Sequence, residues 1–403
     1  MVFAITIDQS DNKIIKSTTP TVQSDHLLLF FSGTIYNHAY LKAVYKLESN
    51  TVEEIVFEIF KTQTDIGSII PKINGIFSIV VVDKAADSII AIRDRNGFGM
   101  IRRRIETSGN YTITDESLVN EMLYSELLSP GEIVIFDKHS SLSSTTYNDY
   151  EKQWQYWQGV RNRYVVTKHG PRFKGIAQSV SHLTTDQIIE FSSEILTRTN
   201  YPEKVEMFKF LQCVKMFEAC EYSKLTELLK RALKAIVSSA GNTELCVLLD
   251  DSVSTTCIVV LLREIGVTNF KTFSVHNEFE KIFIPAIVST LKTDHTPILY
   301  NPRTTPVVST YIFCKHVGQL SDTPTVLLPT LASEIFSENP VADLTSETTR
   351  TMILKTTECI DKFNLSAHYP YGDIHVIKYA LFLKNGIVPD RLLKMVVSQF
   401  VTP

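Results

Sequence analysis

Cysteine is scarce and poorly placed for thiol chemistry. All six residues, Cys213, Cys220, Cys246, Cys257, Cys314 and Cys359, follow position 212, and none forms a C-x-x-C pair. Several sit in apolar runs such as LCVLL and STTCIVVLL, so they read as buried reduced thiols. An excess of either charge is also missing: Lys+Arg 40 against Asp+Glu 44 leaves a net charge of −4. No global field then draws the chain to nucleic acid or membrane, and any basic site must be local. There is no apolar run of membrane-spanning length, and the start MVFAITIDQSDNK has only a short apolar stretch with no basic segment before it, so the expected location is cytoplasmic. His276, His295, His316, His368 and His375 lack metal-ligand spacing, and no metal or cofactor is expected. Internal repeats and low-complexity stretches are absent. What remains is a chain of 403 residues, 44% hydrophobic and 21% charged, too apolar for disorder and too long for one ordinary core. Two α/β domains are expected.

From Leu27 to Asp137 short strands alternate with turns. Residues 75–83 and 88–93 form a hairpin signal across the polar turn 84–87, Thr51 to Thr62 has helical spacing, and the turn Ser129-Pro-Gly-Glu132 leads into IVIFD. A second pattern starts near Ser223. Leu225, Leu228, Leu229, Ala232, Leu233 and Ile236 repeat with amphipathic helical spacing. An apolar strand at Leu245-CVLL, the polar turn Asp250-Asp-Ser-Val-Ser-Thr and a helix from Thr256 to Gly266 follow. Then come a strand at Phe270-KTFSV, a helix at Phe279-EKIFIPAIVSTLK and a strand at Thr325-VLL, an alternation that predicts a doubly wound parallel sheet. Residues 157–222 fit neither pattern; Thr184 and Gln187 fit a capping box there.

Several strings in fixed order, Phe31-SGTIYNHAYLK, Pro71-KINGIFSIVVVD, Ala91-IRDRNG, Pro130-GEIVIFD, Tyr156-Trp157, Lys224-LTELLKRALKAIV, Lys271-TFSV, Leu291-KTDH and Tyr369-PYGD, resemble glutamine-dependent asparagine synthetase. The resemblance implies an N-terminal Ntn-type α/β/β/α class II glutamine amidotransferase-like sandwich over 1–150. A linker and insert over 151–222 and a doubly wound, ATP-pyrophosphatase-like synthetase domain over 223–403 follow. Shared fold does not by itself establish function.

The same resemblance implies that the chemistry has been lost. The family's nucleophile is a cysteine at the position held here by Val2, and an aliphatic side chain forms no thioester. Where the family has FNGEIYN around its oxyanion hole this chain has Phe31-Ser-Gly-Thr-Ile-Tyr-Asn37. Gly33 keeps a backbone donor, Ser32 replaces an amide donor, and Thr34 replaces the acidic residue that meets the substrate ammonium. The segment between Val2 and Ser32 is shorter than the family's and contains no match to its arginine strand. The family's pyrophosphate loop SGGLDS reads Asp250-Asp251-Ser252-Val253-Ser254-Thr255, with both glycines gone and two carboxylates expected to point toward the phosphate position. The loop SGEGADE reads Leu328-Pro-Thr330-Leu-Ala-Ser333-Glu334, so Thr330 and Ser333 replace a catalytic glutamate and an aspartate, and Glu334 is expected to be solvated.

New function is therefore sought elsewhere. Arg161, Arg163, Lys168, Arg172 and Lys174 fall in one stretch without an acidic residue, interleaved with Tyr164 and Phe173, a composition suited to phosphate and exposed bases. Arg102, Arg103 and Arg104 form a second cluster. Both also read as ordinary solvated segments. Three readings stand: a pseudoenzyme binding RNA, a ribosome or another ribonucleoprotein; a residual ammonia-dependent or nucleotide-binding synthetase; and a protein-binding scaffold. Neither a membrane partner nor sequence-specific DNA reading is expected, and the oligomeric state is open.

Overall fold

The computed structural model describes residues 3–7, 14–63, 65–106, 110–115, 125–136, 142–147, 223–241, 243–250, 252–277, 284–300, 309–320, 324–337 and 340–382. The chain divides into two compact units. Unit 1 comprises 1–149, 238–241 and 350–366; unit 2 comprises 150–237, 242–349 and 367–403.

Unit 1 contains two antiparallel sheets. Its strands are β1 (Ala4–Ile7), β2 (Ile14–Ser17), β3 (Val22–Gln23), β4 (Leu27–Ile35), β5 (Gly75–Asp83), β6 (Ser88–Arg93), β7 (Arg102–Ile105), β8 (Tyr111–Thr114), β9 (Ser125–Leu127), β10 (Glu132–Phe136) and β11 (Leu142–Thr146). One sheet runs β2-β1-β8-β7-β9 and the other β11-β10-β6-β5-β4-β3. Alternation along β4 explains the layering, because successive side chains leave opposite faces. Leu28 and Phe30 join Phe3, Ile5, Ile7, Val80 and Ile113 between the sheets, whereas Leu27, Leu29 and Phe31 pack with helix residues on the outer face. Those residues come from α1 (His38–Tyr45) and α2 (Val52–Thr62). Helix α2 starts where the sequence indicates: Thr51 accepts from the Glu54 N–H and Glu54 accepts from the Thr51 N–H, a capping box.

Residues 223–240 form α3, of which 223–237 belong to unit 2, and its six repeating apolar residues, Leu225 to Ile236, are buried. Next come β12 (Leu245–Leu248), α4 (Val253–Glu264), β13 (Phe270–Asn277), α5 (Ile284–Leu291), β14 (Asp294–Tyr300), α6 (Ser309–Val317), β15 (Thr325–Leu327) and β16 (Ser366–His368). The sheet order is β14-β13-β12-β15-β16, and β12 pairs in parallel with both β13 and β15. The order reverses beside β12, where a doubly wound sheet opens a crevice at the strand carboxyl ends.

Three boundaries differ from the sequence reading. Helix α4 starts at Val253 rather than Thr256, because Ser252 caps it. The segment from Asp294 to Tyr300 is a strand that the residue pattern did not reveal. The expected helix from Phe279 is described only as α5, from Ile284.

Candidate functional site

In unit 1 the strand entering β1 is tied down by Asp115. Its Oδ1 accepts from the Phe3 N–H at 2.6 Å, and the Ser32 hydroxyl also hydrogen-bonds to the carboxylate. The Thr114 hydroxyl donates to the Phe3 carbonyl at 2.8 Å. Burial pushes the Asp115 carboxyl up to about 6, against the pull of the Phe3 and Ser32 bonds. Ser32 is thus engaged with a carboxylate in the corner where the resemblance placed an oxyanion donor. Gly33 has φ +122, and a Cβ there would lie 2.1 Å from the Ile76 carbonyl oxygen, so the close approach of β5 requires glycine. Asn37 donates to the Lys72 carbonyl and accepts from the Asn74 N–H, which makes the IYN string a strap across β4 and β5. Val2 lies outside the described residues.

The string Arg93-Asp-Arg-Asn-Gly97 forms a buried knot. Asp94 accepts from the N–H groups of Asn96 and Gly97, each at 3.0 Å, and from Gly99. The Arg93 guanidinium donates to the carbonyls of Gly99, Leu128 and Gly97. Burial raises the Asp94 carboxyl and lowers the Arg93 guanidinium to about 10. Of the second basic cluster, all within β7, Arg103 pairs with Glu126, so it is not a free cation.

In unit 2 the loop after β12 closes on itself. Asp250 Oδ1 accepts from the Ser252 N–H at 2.9 Å and from the Thr255 hydroxyl at 2.7 Å, while Ser252 Oγ accepts from the Thr255 N–H. The Asp250 carboxylate thus takes loop donors that an anion would need. Asp251 lies outside the described residues. Beneath the loop, the fully buried Tyr371 hydroxyl donates to the Ser254 carbonyl at 2.9 Å and hydrogen-bonds to Cys257, whose thiol burial pushes up to about 12. Such a thiol is inert.

The loop after β15 keeps an unusual backbone. Leu331 has φ +76 at the place where the resembled string has its second glycine. For a branched side chain that conformation is strained. Glu334 departs from the expected solvation: its Oε2 is buried with no hydrogen-bond partner among the described residues, as is Ser337 Oγ. Thr330 is partly exposed and Ser333 exposed. Residues 161–174, with the whole basic segment, lie outside the described residues, as does the Thr184 capping box. Sequence reasoning missed Asp115, the left-handed Leu331 and Tyr371; only Tyr371 had a visible signal, within PYGD.

Against this geometry, the family model described as a glutamine amidotransferase domain matches residues 8–103. Unit 1 therefore carries a glutamine amidotransferase-type domain. A search of curated proteins finds no match. Among solved structures, the chain is similar to glutamine phosphoribosylpyrophosphate amidotransferase from B. subtilis in complex with ADP and GMP. Identity is 11%, coverage 80% of this chain and 87% of that one, and the TM-score 0.30. It is also similar to a structure described as the allosteric regulatory enzyme of purine biosynthesis, with 12% identity, 87% and 61% coverage and TM-score 0.27. A glutamine aminotransferase class-II domain protein from Silicibacter pomeroyi shows 12% identity, 32% and 71% coverage and TM-score 0.25. Among the described residues no helix is long and apolar enough to cross a membrane, and no group of three His, Cys, Asp or Glu could hold a metal ion.

Proposed function

We propose that the chain is a catalytically silent member of the asparagine synthetase type that acts as a binding factor. The observation that carries the reading is the closed loop at the carboxyl end of β12, where Asp250 occupies the Ser252 N–H and Thr255 hydroxyl. A second carboxylate or phosphate brought there meets like charge and spent donors. Ser32, engaged by Asp115, and the aliphatic Val2 support the same reading for the glutamine site. The expected result is no ammonia release from glutamine, by the native chain or by Val2→Cys, since a thiolate alone leaves oxyanion and substrate contacts incomplete. ATP with Mg²⁺ should leave the melting temperature unchanged, whereas a ligand at a hundred times its Kd adds about 2.7 kcal/mol. A saturable shift would favour the residual-synthetase reading instead.

For the partner we propose RNA or a ribonucleoprotein, held through Arg161, Arg163, Lys168, Arg172 and Lys174, with Tyr164 or Phe173 stacking on exposed bases. The support is local: five cations without an intervening anion in a chain of net charge −4. Replacing all five with glutamine should flatten the log–log salt dependence of RNA binding by roughly 0.7 to 0.9 for each phosphate no longer neutralised, with the melting temperature unchanged. Unaltered binding across salt would leave the scaffold reading.

A further inference from the structure

One face of β13 carries a polar ladder that the proposed function does not use. Thr272, Ser274 and His276 share that face by alternation, opposite Phe273, whose ring meets Phe313 and His316 of α6. Thr272 and Ser274 are fully buried. His295, paired with Thr272 in the parallel register, sits between them. Its Nδ1 lies 3.0 Å from Thr272 Oγ1 and its Nε2 3.0 Å from Ser274 Oγ. Ser274 Oγ lies 3.4 Å from His276 Nδ1. The far end of this row fixes its direction. The single Thr272 hydroxyl proton goes to Thr293 Oγ1 at 3.0 Å or to the Asp294 carbonyl, which only accepts, at 3.2 Å. With that proton so placed, Thr272 accepts from a His295 Nδ1–H, Nε2 is bare to accept the Ser274 proton, and Ser274 accepts in turn from a His276 Nδ1–H.

We propose that His276, Ser274, His295 and Thr272 form a directed hydrogen-bond relay that latches β14 to β13 and opens when His295 is protonated while His276 is also charged. Among the described residues strand β14 is at the sheet edge, and it contains Pro297, which brings no N–H to the ladder, so side-chain ties matter there. Adding a proton to His276 leaves the row intact, because its Nδ1–H is already the donor. Adding one to His295 puts a second N–H against Ser274. The buried hydroxyl can then turn only if His276 is neutral and gives up its Nδ1 proton, so the two rings cannot both be charged with the row intact.

The groups that act on His295 agree. Burial lowers it first, His276 lowers it further, and only the adjacent Asp294 raises it. Strand β12 and helix α5 carry no charge; Lys271 on the opposite face of β13 is paired with Glu244. On α4, Arg263 donates to the Lys292 carbonyl and Glu264 pairs with Lys230. On α6, Lys315 and His316 belong to the side that holds Phe273.

Nitrogen-15 spectra of the full chain labelled at histidine test the relay. At neutral pH His295 should be the Nδ1–H tautomer, and its midpoint should lie below the ordinary histidine value. Ser274→Ala should raise the His295 midpoint by about one pH unit, a tenfold gain in proton affinity. Thr272→Val should mix the His295 tautomers, while Thr272→Ser, which keeps the hydroxyl, should preserve the native one and report that the sheet is intact. Amide exchange at Ile298 and Leu299 should quicken relative to β12 as His295 charges. An Nε2–H tautomer in the native chain, or titrations that ignore Ser274→Ala, overturns the relay; β14 exchange that keeps pace with β12 overturns the latch.

Discussion

Asp94→Ala should lower the stability of unit 1 by about 3 to 5 kcal/mol, the range for breaking a fully buried charged group out of its partners. The native carboxylate holds three backbone donors, those of Asn96, Gly97 and Gly99, in a buried turn. Alanine leaves them unpaired, and each buried orphan donor costs roughly 1 to 3 kcal/mol. The damage does not stop at the turn. The carbonyls of Gly97 and Gly99 are the ones Arg93 holds, so relaxing the loop also frees a buried guanidinium. Thr357 of the helix Glu347–Lys362 donates to the Phe98 carbonyl within the same loop. Asp83→Ala is the matched control. Asp83 also accepts from two successive backbone N–H groups, of Ala85 and Ala86, but in an exposed turn where water replaces it, and its loss should cost about 0.5 to 1 kcal/mol. Thermal scans should separate the two by roughly 2 to 4 °C per kcal/mol. Equal shifts would mean that the Arg93–Asp94 knot is not what holds the turn.

How far the chain could be read from its sequence follows from which forces act locally. The hairpin of β5 and β6 and the helical spacing of α2 and α3 were legible because each is a short-range pattern. Strand β14 was not, since Asp294-His-Thr-Pro carries neither an apolar run nor a free N–H at Pro297, and only pairing with β13 makes it a strand. Asp115 meets Phe3 across 112 residues, a contact with no local signature. Leu331 is the converse: its left-handed backbone is one for which a sequence would advertise glycine, yet a buried leucine holds the position. At the loop from Asp250 the missing glycines were visible, but the closing of the carboxylate onto the Thr255 hydroxyl at the far end of the turn was not, because it depends on how the backbone folds.

Acidification should move the two units in opposite directions. In unit 2, His368 is buried and its pKa is lowered from 6.5 to about 4. Above pH 6.5 neither state binds this proton. As pH falls from 6.5 to 4 the unfolded chain takes it up and the folded one does not, so stability is lost, up to about 3 kcal/mol at 1.36 kcal/mol per unit. His295 and His375, both lowered by burial, act in the same sense. In unit 1, Asp115 is raised from 3.8 to about 6. Its contribution is fully present below pH 3.8 and lost as pH rises through 6, so acidification from neutrality restores up to about 3 kcal/mol. Asp94, raised by burial, adds to that sense. Calorimetry between pH 7.5 and 4.5 should therefore show one transition falling and the other rising. His368→Gln should flatten the falling transition, because an amide gains no proton. Asp115→Asn should flatten the rising one while keeping an oxygen to accept from the Phe3 N–H. Transitions that shift together, with slopes indifferent to both substitutions, would show that neither buried group governs the acid response.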